Sequence, residues 1–82
     1  MRVSILYFAA VRELVTKSDE TLDLPDGIRT VGDFAKWIAS FHPELEGRMS
    51  SVRIARNEIF ARDDEVLAEG DVLALIPPVA GG

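Results

Sequence analysis

Hydrophobic and polar positions change rhythm several times along the chain, and each change marks an element. Residues 2–8 are apolar with β-branched and aromatic side chains, which predicts a largely buried first strand. Residues 9–15 switch to helix formers, with Val11, Leu14 and Val15 on one side of a helix of one or two turns. Lys17, Ser18 and Asp19 interrupt that pattern. Residues 20–24 then alternate with period two, placing Leu22 and Leu24 on one face of a second strand, and Pro25, Asp26 and Gly27 close it as a turn.

Thr30 opens the longest helix, because its hydroxyl suits an N-cap and Asp33 stands where a capping box wants an acidic partner. Val31, Phe34, Ala35, Ile38 and Phe41 share one face, and His42-Pro43 ends the helix, since proline disfavours helical backbone at the residue before it. A single apolar face predicts packing on a sheet. Residues 44–50 read as a polar, irregular turn. Val52 and Ile54 then alternate with Ser51, Arg53 and Ala55 in a third strand, and Asn57-Glu58 is a hairpin turn into residues 59–61. Residues 62–65 and 69–71 are polar turns, and the apolar run 72–76 suits a central strand buried on both faces.

Early and late strands separated by a crossover helix predict an α+β fold with a mixed sheet and the main helix on one face. The β-grasp arrangement satisfies this order: the first two strands pair as a hairpin and the last lies beside the first, mid-sheet. The short helix at residues 9–15 lengthens the hairpin connection. Residues 1–76 are expected to form one domain, with residues 77–82 as a flexible C-terminal Gly-Gly tail.

Eighty-two residues allow one domain. With 48% hydrophobic and 28% charged residues the composition is that of an ordinary soluble globular protein. A net charge of −5 with nine scattered basic residues argues against a nucleic-acid partner and favours a basic protein partner. No apolar run approaches the roughly eighteen residues of a membrane span, and the N-terminal segment lacks a small-residue cleavage site, so a cytoplasmic location is the default.

Candidate chemistry is sparse. Without cysteine there is no thiol nucleophile or thiolate metal site, and a lone histidine, His42, excludes a multi-histidine metal centre. His42 beside Pro43 reads as a capping or surface residue. Asp63, Asp64 and Glu65 lack the glycine of a calcium loop and read as a solvated turn. Phe34, Trp37 and Phe41 lie at helical spacing and read as core. The serines have no elbow motif and no glycine-rich phosphate loop exists. No metal, no permanently bound cofactor and no independent catalytic site are expected.

What remains is the carboxylate of Gly82. Gly81 and Gly82 carry no Cβ and can thread a channel too narrow for other residues, and Pro77-Pro78 fix φ and project them from the preceding strand. A carboxylate is a poor electrophile, but an acyl-adenylate has a good leaving group that a sulfur or nitrogen nucleophile displaces. With no ATP site in this chain, a separate enzyme has to perform that activation.

Two segments resemble a known family. Leu6-Tyr7-Phe8-Ala9-Ala10-Val11-Arg12-Glu13-Leu14, and Glu69-Gly70-Asp71-Val72 with Pro77-Pro78-Val79-Ala80-Gly81-Gly82, are similar to the small subunits of molybdopterin synthase, which are ubiquitin-like sulfur carriers. The resemblance implies a β-grasp fold and a cycle. An E1-like adenylyltransferase uses ATP and magnesium to make a glycyl-adenylate at Gly82, and a sulfur donor protein converts it to a thiocarboxylate. The tail then enters the large synthase subunit and gives its sulfur to cyclic pyranopterin monophosphate. Such a chain is the non-catalytic, sulfur-donating subunit of a heterotetramer. The family docks through an apolar patch matched here by Phe8, Phe60 and Ile76, followed by Pro77, Pro78 and Val79. Many members carry an aromatic before the two prolines, where this chain has Leu75 and Ile76. The alternatives are a sulfur carrier for thiamine thiazole synthesis, a ubiquitin-like modifier of lysines, and a noncovalent binding module.

Overall fold

Five strands and two helices are laid out as the alternating patterns predict, in a computed structural model that describes residues 1–78. The order is β1 (Arg2–Tyr7), α1 (Ala9–Val15), β2 (Asp19–Asp23), α2 (Val31–Phe41), β3 (Arg53–Arg56), β4 (Ile59–Phe60) and β5 (Val72–Ile76). Two 3-10 turns, Pro43–Leu45 and Met49–Ser51, fill the segment between α2 and β3. The sheet order is β2-β1-β5-β3-β4, with β1 and β5 parallel and every other pair antiparallel. This is the mixed β-grasp sheet, with the main helix as its crossover.

Period-two alternation assigns each strand residue to a face. Val3, Ile5 and Tyr7 of β1 and Leu73 and Leu75 of β5 turn towards α2, where Val31, Phe34 and Ile38 complete the core. Val11 and Val15 of α1 join the same core from its end. The capping box predicted at Thr30 forms: Asp33 N–H donates to the Thr30 hydroxyl at 3.1 Å, and the Asp33 carboxylate accepts from Thr30 N–H at 3.1 Å. Satisfying these otherwise orphaned donors is worth about 1 kcal/mol and fixes where the helix starts.

Six sequence readings need correction. β1 is not buried throughout and stops at Tyr7; Phe8 is the extended N-cap of α1, because Ala9 adopts a left-handed φ of 49° that turns the chain away from the sheet. β2 begins and ends one residue earlier than the alternation suggests, although Leu24 N–H still donates to the Met1 carbonyl at 2.7 Å. β3 begins at Arg53, two residues later than the alternation suggests, because Met49–Ser51 form a 3-10 turn. β5 is central but not buried on both faces, since Val72 and Ile76 stay partly exposed on the face turned away from α2. Phe41 is 47% exposed and not core: at the last turn of α2 its ring stacks on Trp37, with centroids 4.9 Å apart, and meets the His42 ring edge to face. Leu45, inside the segment read as polar and irregular, is fully buried: the first 3-10 turn folds it back against α1.

Candidate docking groove and tail base

Among the described residues nothing covers the sheet face turned away from α2, and its middle is apolar. Ala55 and Ala74, paired across β3 and β5, make a low floor. Leu6 and Phe8 rise on the β1 side, Phe60 on the β4 side, and Val72 and Ile76 along β5, leaving a shallow groove of about 190 Å³. Small residues at the centre and large ones around them are what create the depression. Phe8 and Phe60 are 44% and 49% exposed, which for large aromatic side chains on a small domain is an informative exposure. The fold thus brings Phe8, Phe60 and Ile76, remote in sequence, to one groove.

The Phe60 wall is held from two sides. Its backbone pairs with Ala55, and the Arg53 guanidinium lies 3.7 Å from the centre of its ring, a cation–π contact that keeps the ring upright. At the opposite end of the same hairpin, Asp71 is buried and its carboxylate accepts from Arg56 Nε at 2.7 Å, Asn57 Nδ2 at 2.9 Å and Ala68 N–H at 2.8 Å. Burial pushes the Asp71 carboxyl up, but those hydrogen bonds outweigh it and hold the group below the usual carboxylate range. Asn57 in turn accepts from Val72 N–H through Oδ1 at 2.9 Å and donates its own N–H to the Val72 carbonyl at 2.8 Å. The hairpin is therefore clamped to the start of β5.

Pro77 and Pro78 do not line this groove. They continue from β5 into a separate cleft of about 360 Å³ between Ala10, Val11 and Leu14 of α1 and the turn carrying Gly47, Arg48 and Ser51. Val79, Gly81 and Gly82, the other predicted site residues, lie outside the described residues. The base of the tail thus leaves the centre of the sheet beside α1, while the groove lies on the open face.

A polar cluster under α1 escaped the sequence reading. Tyr7 donates to Glu20 Oε2, and His42 Nε2 lies 2.6 Å from the same oxygen while Lys17 Nζ lies 3.3 Å from Glu20 Oε1. His42 caps α2 through its N–H to the Ile38 carbonyl, and its ring also meets Tyr7 edge to face. Burial first, then the hydrogen bond to Glu20, pushes the Tyr7 phenol up. Burial also works to raise Glu20, but hydrogen bonds from Tyr7, His42 and Lys17 win and its carboxyl is lowered. No periodicity could have paired residues 7, 20 and 42. Spacing by two places Leu6 with Phe8, and Val72 with Ala74 and Ile76, on one face of each strand, but that these faces adjoin, with Ala55 beside them, needed the register. Among the described residues no three acidic or histidine side chains converge as a metal site, and no helix is long and apolar enough to cross a membrane.

Residues 5–82 match the ThiS family as a whole, from β1 through the terminal glycines. The chain belongs to the ThiS family. Within it, the molybdopterin synthase sulfur carrier subunit of Chlamydomonas reinhardtii is 39% identical over 84 residues, covering 100% of both chains. The resemblance read from the two end motifs is borne out by this full-length match. Among solved structures, the small archaeal modifier SAMP1 from Haloferax volcanii superposes with a TM-score of 0.86 at 33% identity, covering 100% of each chain. A complex of subunits 1 and 2 of the molybdopterin-converting factor from Helicobacter pylori contains a chain of the same fold, with a TM-score of 0.71, 22% identity and 100% coverage of both. The β-grasp fold of this ThiS-family member is thereby shared with ubiquitin-like proteins.

Proposed function

We propose that this ThiS-family chain is the sulfur-carrier subunit of a molybdopterin synthase. The observation that carries the reading is the end-to-end match to relatives of that name, which runs through Gly82. The Gly82 carboxylate attacks the α-phosphorus of ATP in the magnesium-dependent active site of an adenylyltransferase and releases pyrophosphate. A sulfide-level sulfur nucleophile supplied by a donor protein then displaces AMP, leaving a thiocarboxylate. In the large synthase subunit that sulfur passes to cyclic pyranopterin monophosphate, and two turnovers supply the two sulfurs of the dithiolene. Phe8, Phe60 and Ile76 provide the docking surface, and Pro77, Pro78 and Val79 lead Gly81 and Gly82 into the partner's channel. A cytoplasmic heterotetramer, two large subunits at its centre and one carrier at each end, is the expected assembly.

Incubation with ATP, magnesium, an adenylyltransferase and a sulfur donor tests this directly by intact-mass spectrometry. The expected result is a mass gain equal to replacing one oxygen by sulfur, absent when Gly82 is deleted although the truncated chain keeps its melting temperature. Sulfur transfer that survives the deletion overturns the role of Gly82. The likeness to SAMP1 favours a second reading, a modifier joined to lysines of other proteins. The same activated glycyl group serves both, so isopeptide-linked fragments ending in Gly81-Gly82, in place of a thiocarboxylate, would select that reading.

A further inference from the structure

The turn between β3 and β4 places a charged side chain where the backbone favours glycine. Asn57 and Glu58 both have positive φ, 52° and 73°, between the paired residues Arg56 and Ile59. Two successive left-handed residues give the turn whose twist matches a hairpin, and Asn followed by Gly enters it with least steric cost. Asn57 fits that preference. Glu58 does not, because its Cβ crowds the backbone in this region, and such a conformation persists only where neighbouring contacts over-determine it. Those contacts are the clamp described above, in which Asp71 and Val72 hold both the side chain and the backbone of Asn57.

The strained residue has no local use. Among the described residues the Glu58 carboxylate takes part in no hydrogen bond and no ion pair, unlike Glu20, Glu65 and Asp71. It does line the open-face groove, as the charged member of an otherwise apolar set. We propose that Glu58 is a specificity-determining residue of docking, selecting a partner surface whose apolar ridge carries a lysine or arginine at its edge. The proposal rests on the reading of the groove as the surface that meets the large synthase subunit. Once an apolar ridge fills the groove, Glu58 loses water. A partner cation then gains from the lowered dielectric, whereas a partner without one leaves the carboxylate desolvated and unpaired. The Arg53 guanidinium over Phe60 puts the opposite charge at the β4 wall, so the ridge's cation belongs at the turn and the pattern fixes its direction.

Titration calorimetry of the full chain against a molybdopterin synthase large subunit, at low and high salt, tests this with Glu58→Gln and Glu58→Gly. Both variants should bind roughly 3- to 30-fold more weakly at low salt, with the difference shrinking as salt rises. Glu58→Gly should melt at the same temperature as the wild type or up to about 4 °C higher, since glycine relieves the left-handed strain. Weaker binding with an undiminished melting temperature is a result that a purely structural role cannot give. Wild-type binding that both variants reproduce at low salt overturns the inference while leaving the docking reading intact. So do variants whose affinity and melting temperature fall together. If the wild-type chain itself does not bind, the docking reading fails and the inference with it.

Discussion

The four phenylalanines occupy two kinds of site, and their composition alone does not tell them apart. Phe34 is fully buried between α2 and the sheet, whereas Phe8, Phe41 and Phe60 are each about half exposed. Truncating Phe34 to alanine removes a whole buried ring and leaves a cavity, so Phe34→Ala should destabilise the domain by about 3–5 kcal/mol. Phe60→Ala should cost about 1 kcal/mol or less in denaturant melts and, under the proposed docking role of the groove, weaken binding of a large synthase subunit at least tenfold, since an exposed aromatic wall contributes mainly once it is covered. Equal losses of stability in the two variants would show that Phe60 is core. The helix that holds Phe34 also carries Phe41, and apolar spacing predicted burial for both. Spacing reports the angle around the helix axis and says nothing about which neighbours meet a residue at the helix end.

Elements were legible wherever one periodicity ran without interruption. α2 declared its start through Thr30 and Asp33 and its end through Pro43, and β5 declared its central place through five successive apolar residues. At the cap of α2, Thr30→Ala should lose about 1 kcal/mol and lower the melting temperature by roughly 4–8 °C, whereas Thr30→Ser should retain most of that stability. An unchanged melt for Thr30→Ala would mean that the Asp33 carboxylate alone holds the helix start. Less was legible between elements. Leu45 is one apolar residue among polar ones, and a 3-10 turn of three residues is too short to leave a period. The cluster of Tyr7, Glu20 and His42 joins three elements, so it exists only once the sheet has brought them together. In the candidate site, the walls Phe8, Phe60 and Ile76 were reached through family resemblance, while the alanine floor and Glu58 required the register.

For the whole molecule, four carboxylates set the response to acid. Hydrogen bonding to Arg2 lowers Asp23, and the N–H groups of Arg29 and Thr30 lower Asp33. Glu20 and Asp71 are lowered against the opposing push of burial. Unfolded, these groups take up protons at their ordinary values near pH 4, above the values they have when folded. The stability they contribute is therefore complete above that range and is lost as pH falls through the depressed folded values. Melting temperature should hold nearly level from about pH 7 to 5 and decline below about pH 4, a trend that differential scanning calorimetry would record. A decline beginning above pH 6 would instead implicate another group. The parallel pairing of β1 with β5 acts at this scale too, because it joins the first strand of the sheet to the last. During synthesis β1, α1, β2 and α2 leave the ribosome while the strand that belongs in the middle is still unmade, and non-local pairing of this kind forms late. A chain cut short before β5 lacks its central strand and both terminal glycines at once. Incomplete products thus fail as folded domains and are open to proteolysis, so partly made chains do not persist beside intact ones.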